Sequence, residues 1–318
     1  AVGLTVLEWD PVKTFVGSSA VGLISERIIS SKQFKNPQSL IDSGFEMGKL
    51  GNFAQAIDEL NKALEIDPRN AIAYYYLGNI YNSLKDYEKA IFHFTKAIDI
   101  DPNYADAYSL RGLTKTEWGN PYGAIEDCDM AIRIDPKNST AYINRGAAKI
   151  ETYEFKEAIR DFNTALKINP NYAEAFYFRG IAKWKLKDLE GAKADYENAT
   201  KIDPSHYEAH NNLATMKGDL GEYKEAAMMY DKVIEINPEL SIGYFNRGLV
   251  LAKANNYASA ILDFEKAVKI EPENNIYYHN LGLARFYSGD LKGACVDWKT
   301  ASGLGNTNAA NMLEENCH

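Results

Sequence analysis

Between residues 37 and 308, apolar side chains recur in paired stripes of helical period. Most pairs are parted by a short polar break: Gly51-Asn52, Lys85-Asp86, Gly119-Asn120-Pro121, Lys187-Asp188, Gly221-Glu222, Asn255-Asn256 and Gly289-Asp290. The pattern predicts a helix, a tight turn and a second helix, repeated along the chain. Seven of the ten prolines, Pro68, Pro102, Pro136, Pro170, Pro204, Pro238 and Pro272, stand 34 residues apart. They follow Asp67, Asp101, Asp135, Asn169, Asp203, Asn237 and Glu271. Proline cannot continue a helix and suits the first helical position behind an Asx cap, so each pair is expected to stop one helix and start the next. Taking this proline as the thirty-second residue gives eight repeats: 37–70, 71–104, 105–138, 139–172, 173–206, 207–240, 241–274 and 275–308. Neither helix of a pair can bury its stripe alone, so the hairpins must stack into an all-α solenoid.

Small residues face large ones within this frame. The eighth residue is Gly44, Gly78, Gly112, Gly146, Gly180, Ala214, Gly248 and Gly282, and the twentieth is alanine throughout, from Ala56 to Ala294. The twenty-fourth is Leu60, Phe94, Cys128, Phe162, Tyr196, Tyr230, Phe264 and Trp298. Close approach of two helices is the expected result, with Cys128 acting as a small hydrophobe in the core.

Tyr74, Leu77-Gly78, Tyr81, Ala90, Phe94 and Pro102 give the second repeat a pattern that resembles the tetratricopeptide repeat, and the resemblance covers residues 37–308. It implies a right-handed superhelical solenoid of eight helix-turn-helix repeats with terminal capping helices. It also implies a concave groove, lined by the first helix of each repeat, that holds a protein or peptide. Groove positions in this family are the second, fifth, sixth, ninth, twelfth and thirteenth residues. They supply aromatic surface from Tyr75, Tyr76, Tyr177, Phe178, Trp184, Phe245 and Phe286, and amides from Asn79, Asn144, Asn212, Asn246 and Asn280. Such amides can pair with both donors and acceptors of an extended backbone. Asp42, Asp106, Glu117, Glu151, Glu174, Glu208 and Asp219 oppose Lys49, Lys185 and Lys253 along these helices, so a partner with basic and apolar side chains is expected. Residue seven, usually Leu in the family, is Arg111, Arg145, Arg179 and Arg247, and sixteen residues later stand Asp127, Asp161, Asp195 and Asp263. A structural ion pair across each of those hairpins is the expectation.

The ends depart from the frame. Residues 1–36 include an amphipathic stretch, Phe15 to Ile29, expected to cap the first repeat or to serve self-association. Residues 309–318 read as a closing helix over the last apolar face. Cys295 and Cys317 would bridge in an exported chain and remain thiols in a reducing compartment; thiols are the expectation here.

Composition narrows the function. With 35 Lys and Arg against 44 Asp and Glu, the formal charge of −9 disfavours nucleic acid. No run of about eighteen apolar residues occurs, so a soluble chain is expected, cytoplasmic or, after loss of a targeting segment, exported or organellar. Phosphate loops, zinc-protease and nucleophile-elbow motifs are missing, and the five histidines lack metal-ligand spacing. A non-catalytic adaptor or assembly factor without cofactor is therefore expected. The alternative is a self-associating scaffold, or a non-catalytic subunit, that touches neighbours through its N-terminal segment or solenoid ends.

Overall fold

The computed structural model describes residues 36–317, so the expected Phe15–Ile29 segment lies outside the described residues. The described residues form helices joined by short turns, with no strand among them. Contacts divide the chain into two compact units after Pro170. The first holds α1 (Pro37–Lys49), α2 (Phe53–Ile66), α3 (Ala71–Ser83), α4 (Tyr87–Ile100), α5 (Ala105–Glu117), α6 (Pro121–Ile134), α7 (Ser139–Glu151) and α8 (Phe155–Ile168). The second holds α9 (Ala173–Lys185), α10 (Leu189–Ile202), α11 (Tyr207–Asp219), α12 (Tyr223–Ile236), α13 (Ser241–Lys253), α14 (Tyr257–Ile270), α15 (Asn275–Ser288), α16 (Leu291–Gly303) and α17 (Thr307–Asn316). Within each unit, odd and even helices pair as hairpins and successive hairpins pack side by side.

The periodic proline does not open a helix as the sequence pattern suggests. Pro68 follows the α2 cap Asp67 and precedes α3 by three residues. Here the Asx side chain folds forward: Asp67, Asp101, Asp135 and Asp203 accept from the backbone N–H two residues on, at 2.9–3.3 Å. Proline fixes φ inside this Asx turn, and a separate residue caps the next helix. Asn70 and Asn138 do so, accepting from Ala73 N at 3.1 Å and Ala141 N at 2.9 Å. At the other turn, between the helices of one hairpin, one residue takes left-handed φ in every repeat. It is Gly51, Gly119, Gly221 and Gly289, but also Lys85, Tyr153, Lys187 and Asn255.

Glycine at the eighth position is a packing requirement. A Cβ on Gly78 would meet the Phe94 ring at 2.7 Å, and one on Gly282 would meet Trp298 at 2.5 Å. Phe94 and Trp298 are fully buried as a result. Cys128 fills the same slot in the third hairpin, buried and unbridged.

Each arginine of the seventh position reaches the aspartate sixteen residues on in a two-pronged contact. The Nε and Nη2 distances are 2.8 and 2.7 Å for Arg111–Asp127, and 3.0 and 2.5 Å for Arg145–Asp161. They are 2.9 and 2.6 Å for Arg179–Asp195, and 2.8 and 2.6 Å for Arg247–Asp263. Nη1 of Arg145 and of Arg247 also holds Asp129 and Asp231 of the preceding hairpin, at 2.6 and 2.5 Å. Lys115, Lys149 and Lys183 add a second cation to the aspartates at 2.7–2.8 Å. The last hairpin has Leu281 at position seven, and Arg285, four residues on, takes over by binding Asp297 at 2.7 Å and Glu265 at 2.6 Å.

The thiol expectation for Cys295 and Cys317 is corrected. The two residues form a disulfide, with Cα atoms 5.8 Å apart. The twenty-first position of the last hairpin and the end of α17 meet because α17 lies along α16. That juxtaposition, not cysteine count, decides the pairing.

Candidate functional site

The first helices of successive hairpins lie against one another in each unit, and their unburied sides are where a partner could be held. In the first unit, Phe45 of α1 and Tyr76 of α3 pack with ring centres 4.9 Å apart, both half-buried. Burial, then Asp42 and Glu46, raise the Tyr76 phenol above its usual pKa. Lys49 lies 5.1 Å from the Phe45 ring centre and binds Glu46 at 3.3 Å. Tyr75 turns the other way, towards Phe94 and Tyr104 at 6.1 and 5.0 Å, and its hydroxyl bonds Asn79.

Polar side chains stitch α3, α5 and α7 together. Thr114 donates to Asn82 Oδ1 at 2.7 Å, and the Asn82 side chain also hydrogen-bonds the Glu117 carboxyl. Burial pushes the Glu117 carboxyl up to about 7, against the pull of that bond and of Lys85. Asn138 donates to Asp106 at 2.8 Å, and burial raises the Asp106 carboxyl despite it. Asn144 donates to the backbone carbonyl and hydroxyl oxygens of Ser109, at 3.0 and 3.1 Å.

Several residues expected in the groove are instead spent on packing. Asn144 is 3% exposed, and Tyr177, Phe178 and Phe245 are 4%, 6% and 9% exposed. Tyr177 packs on Tyr196 and His206, with centres 6.1 and 4.7 Å away; Phe245 packs on Phe264 and Tyr277, at 5.7 and 4.6 Å. The reason is that a first helix must cover both its own second helix and the following hairpin, which widens its apolar face to include the fifth residue and sometimes the sixth. The amides follow suit: Asn212 bonds the Tyr177 and Tyr196 hydroxyls, and Asn246 donates to Asn211 at 2.9 Å. Asn280 donates to the Ile276 carbonyl of its own helix at 2.8 Å. Phe286 lies by Trp298 with centres 5.6 Å apart, in the cluster that α17 joins. Trp184 stays half-buried, with Lys185 Nζ 5.2 Å from its ring.

Among the described residues, no group of three or more His, Cys, Asp or Glu is placed to hold a metal, and no helix is long and apolar enough to cross a membrane. Phe45 and Arg285 are residues that the sequence reading did not single out. Their signals were the ninth position of the groove set and a basic residue recurring at position eleven in Lys115, Lys149 and Lys183.

Similarity to solved structures is broad. The APC/C hetero-tetramer Cut9-Hcn1 aligns with TM-score 0.66 and 15% identity over 89% of this chain, which spans only 55% of that one. The human IFIT1 dimer with PPP-AAAA aligns with TM-score 0.62 and 16% identity, over 85% of this chain and 73% of that one. YrrB, described as a TPR protein with an unusual peptide-binding site, is 25% identical with TM-score 0.46, over 58% of this chain and 96% of its own. No curated protein sequence matches the chain. Sequence profiles named tetratricopeptide repeat match residues 71–104, 173–206, 207–240 and 241–274, and one named TPR repeat matches 49–84 and 154–187. With hairpins of this period, a small residue packed on a bulky one inside most of them and profile matches across more than half its length, the chain belongs to the tetratricopeptide-repeat family.

Proposed function

We propose that this repeat protein is a non-catalytic adaptor whose first unit holds an extended partner segment with basic and apolar side chains along α1, α3 and α5. The family supports a role in protein interaction; the choice of surface rests on the Phe45–Tyr76 pair. These rings pack on each other yet remain half-open, and Asp42 and Glu46 lie close enough to Tyr76 to raise its phenol. Lys49 is the neighbouring cation, and it is engaged by Glu46 and the Phe45 ring. Aromatic surface bordered by carboxylates suits a segment that alternates apolar and cationic groups.

Titration with a fluorescent peptide of alternating lysine and leucine, followed by cross-linking of the native partner, tests this. An aromatic anchor at such a site contributes about 2 kcal/mol, so Tyr76→Ala should weaken binding about thirtyfold while the repeats stay helical, with only a modest drop in melting temperature from the lost packing on Phe45. Binding should also weaken as salt rises. Affinity indifferent to both Tyr76→Ala and Asp42→Asn would place the partner elsewhere.

A scaffold role has one observation in its favour. Met228, Leu262 and Val296 occupy the same position of α12, α14 and α16 and are 63%, 67% and 60% exposed. Light scattering that shows assembly lost on Leu262→Glu would favour that reading.

A further inference from the structure

The second unit ends on α17, which takes the slot where the first helix of a ninth repeat would lie. Ala309 has no exposure and joins Ala294, Trp298 and Ala301 of α16 in one cluster. Met312 and Leu313 are only half-buried against it, with Leu283 and Phe286 alongside. The two ends of this short helix are held differently. At its start, Asn306 donates to Asn275 Oδ1 at 3.3 Å, and Asn275 donates to the Leu304 carbonyl at 3.0 Å. At its finish, the tie is covalent, Cys295 to Cys317. Both cysteines are half-buried, so the bridge is within reach of solvent. Helices shorter than about twelve residues are marginal in water on their own, and α17 has ten.

We propose that the Cys295–Cys317 bridge is a redox latch, and that opening it turns the end face of the last hairpin into a docking surface for α17 of a second copy of this chain. The face is shaped for that helix because it already holds it. An identical helix freed from another copy therefore fits without new design, and exchange of identical elements is a low-cost route to dimers. The chemistry needs a dithiol reductant. Its thiolate attacks one sulfur of the bridge, the S–S bond breaks, and a mixed disulfide forms. The second thiol of the reductant then displaces the protein sulfur, leaving two cysteine thiols and an oxidised reductant, with two electrons and two protons transferred. The latch does not depend on the groove of the first unit.

The full chain is compared oxidised and after dithiothreitol, by amide hydrogen exchange over residues 307–316 and by light scattering across a concentration series. In the reduced chain, α17 should exchange at least about tenfold faster, and a dimer should grow with concentration. Cys317→Ser should behave as reduced without any reductant. Reoxidising the concentrated reduced chain should trap a dimer joined by Cys295 of one copy and Cys317 of the other, which Cys317→Ser cannot form. Equal exchange of α17 in the two redox states, or a reduced chain that stays monomeric throughout the series, overturns the proposal.

Discussion

Arg145 shows how much one side chain can be asked to do in this fold. Its guanidinium grips Asp161 with two donors and Asp129 with a third, and it lies 5.4 Å from the Tyr142 ring centre. Asp161 is buried, so removal of the arginine leaves it with Lys149 alone. Arg145→Ala should lower stability by roughly 1–3 kcal/mol in urea denaturation, and Arg145→Lys should recover only part, since one ammonium cannot fork. The aspartate sixteen residues after each arginine was readable in sequence because all four copies carry it; Asp129, sixteen residues before Arg145, was not, because Arg111 and Arg179 have Thr95 and Asn163 there. His93 stands at the position that Asp161 holds in its own repeat. It is stacked on Tyr81 with centres 5.1 Å apart, and its buried Nδ1 has no hydrogen-bond partner. Burial, then Lys89, lowers its pKa from 6.5 to about 4. The unfolded chain therefore takes up the proton first as pH falls, so the stability present above pH 6.5 is lost on the way down to about 4. Because part of the ring meets solvent, the loss should be only about 1 kcal/mol, and His93→Phe should remove it from the pH profile of unfolding.

Turns carry the lesson at the scale of elements. Most hairpin turns announced themselves through Gly or Asn, but Thr152-Tyr153-Glu154 in the fourth repeat carries no such signal. The structure nevertheless sets Tyr153 at φ 63°, with 80% of its surface exposed. Packing of α7 on α8 imposes the turn, and tyrosine accepts a conformation that costs an L-residue about 1–2 kcal/mol. Tyr153→Gly should relieve this, less the entropy glycine adds to the unfolded chain, for a net gain of about 0.5–1 kcal/mol. Gly221→Ala, at the equivalent turn with φ 81°, should lose a similar amount. Thermal melts of the two variants should move in opposite directions. The Asx-Pro turns teach the converse. Their period fixed where helices end, while the start of each next helix lay three residues further on, with caps such as Asn70 whose role only the bonded partner reveals.

For the whole molecule, the repeat fold was legible because eight copies of one pattern constrain each other, whereas the candidate site was legible only in part. A family-wide list of groove positions cannot tell Tyr76, which stays half-open beside Phe45, from Tyr177, which fills the seam between α9 and α10. Burial depends on the neighbour across the seam, and sequence spacing within one helix does not encode it. The same limit hid the state of Glu117, which counts in sequence as one more groove acid but whose half-buried carboxyl bonds Asn82 where α3 packs on α5. With its pKa raised to about 7, this carboxyl is largely protonated at pH 6 and largely ionised at pH 8. A cationic side chain placed there binds the carboxylate and not the acid. Affinity of a lysine-leucine peptide for the first unit should therefore rise with pH across that interval, by up to about tenfold if Glu117 is the main cation contact. Glu117→Gln should flatten the profile near its low-pH value and leave the Tyr76→Ala effect intact. Fluorescence anisotropy at pH 6, 7 and 8 reads both. A slope that survives Glu117→Gln would assign the titration to another group along these helices.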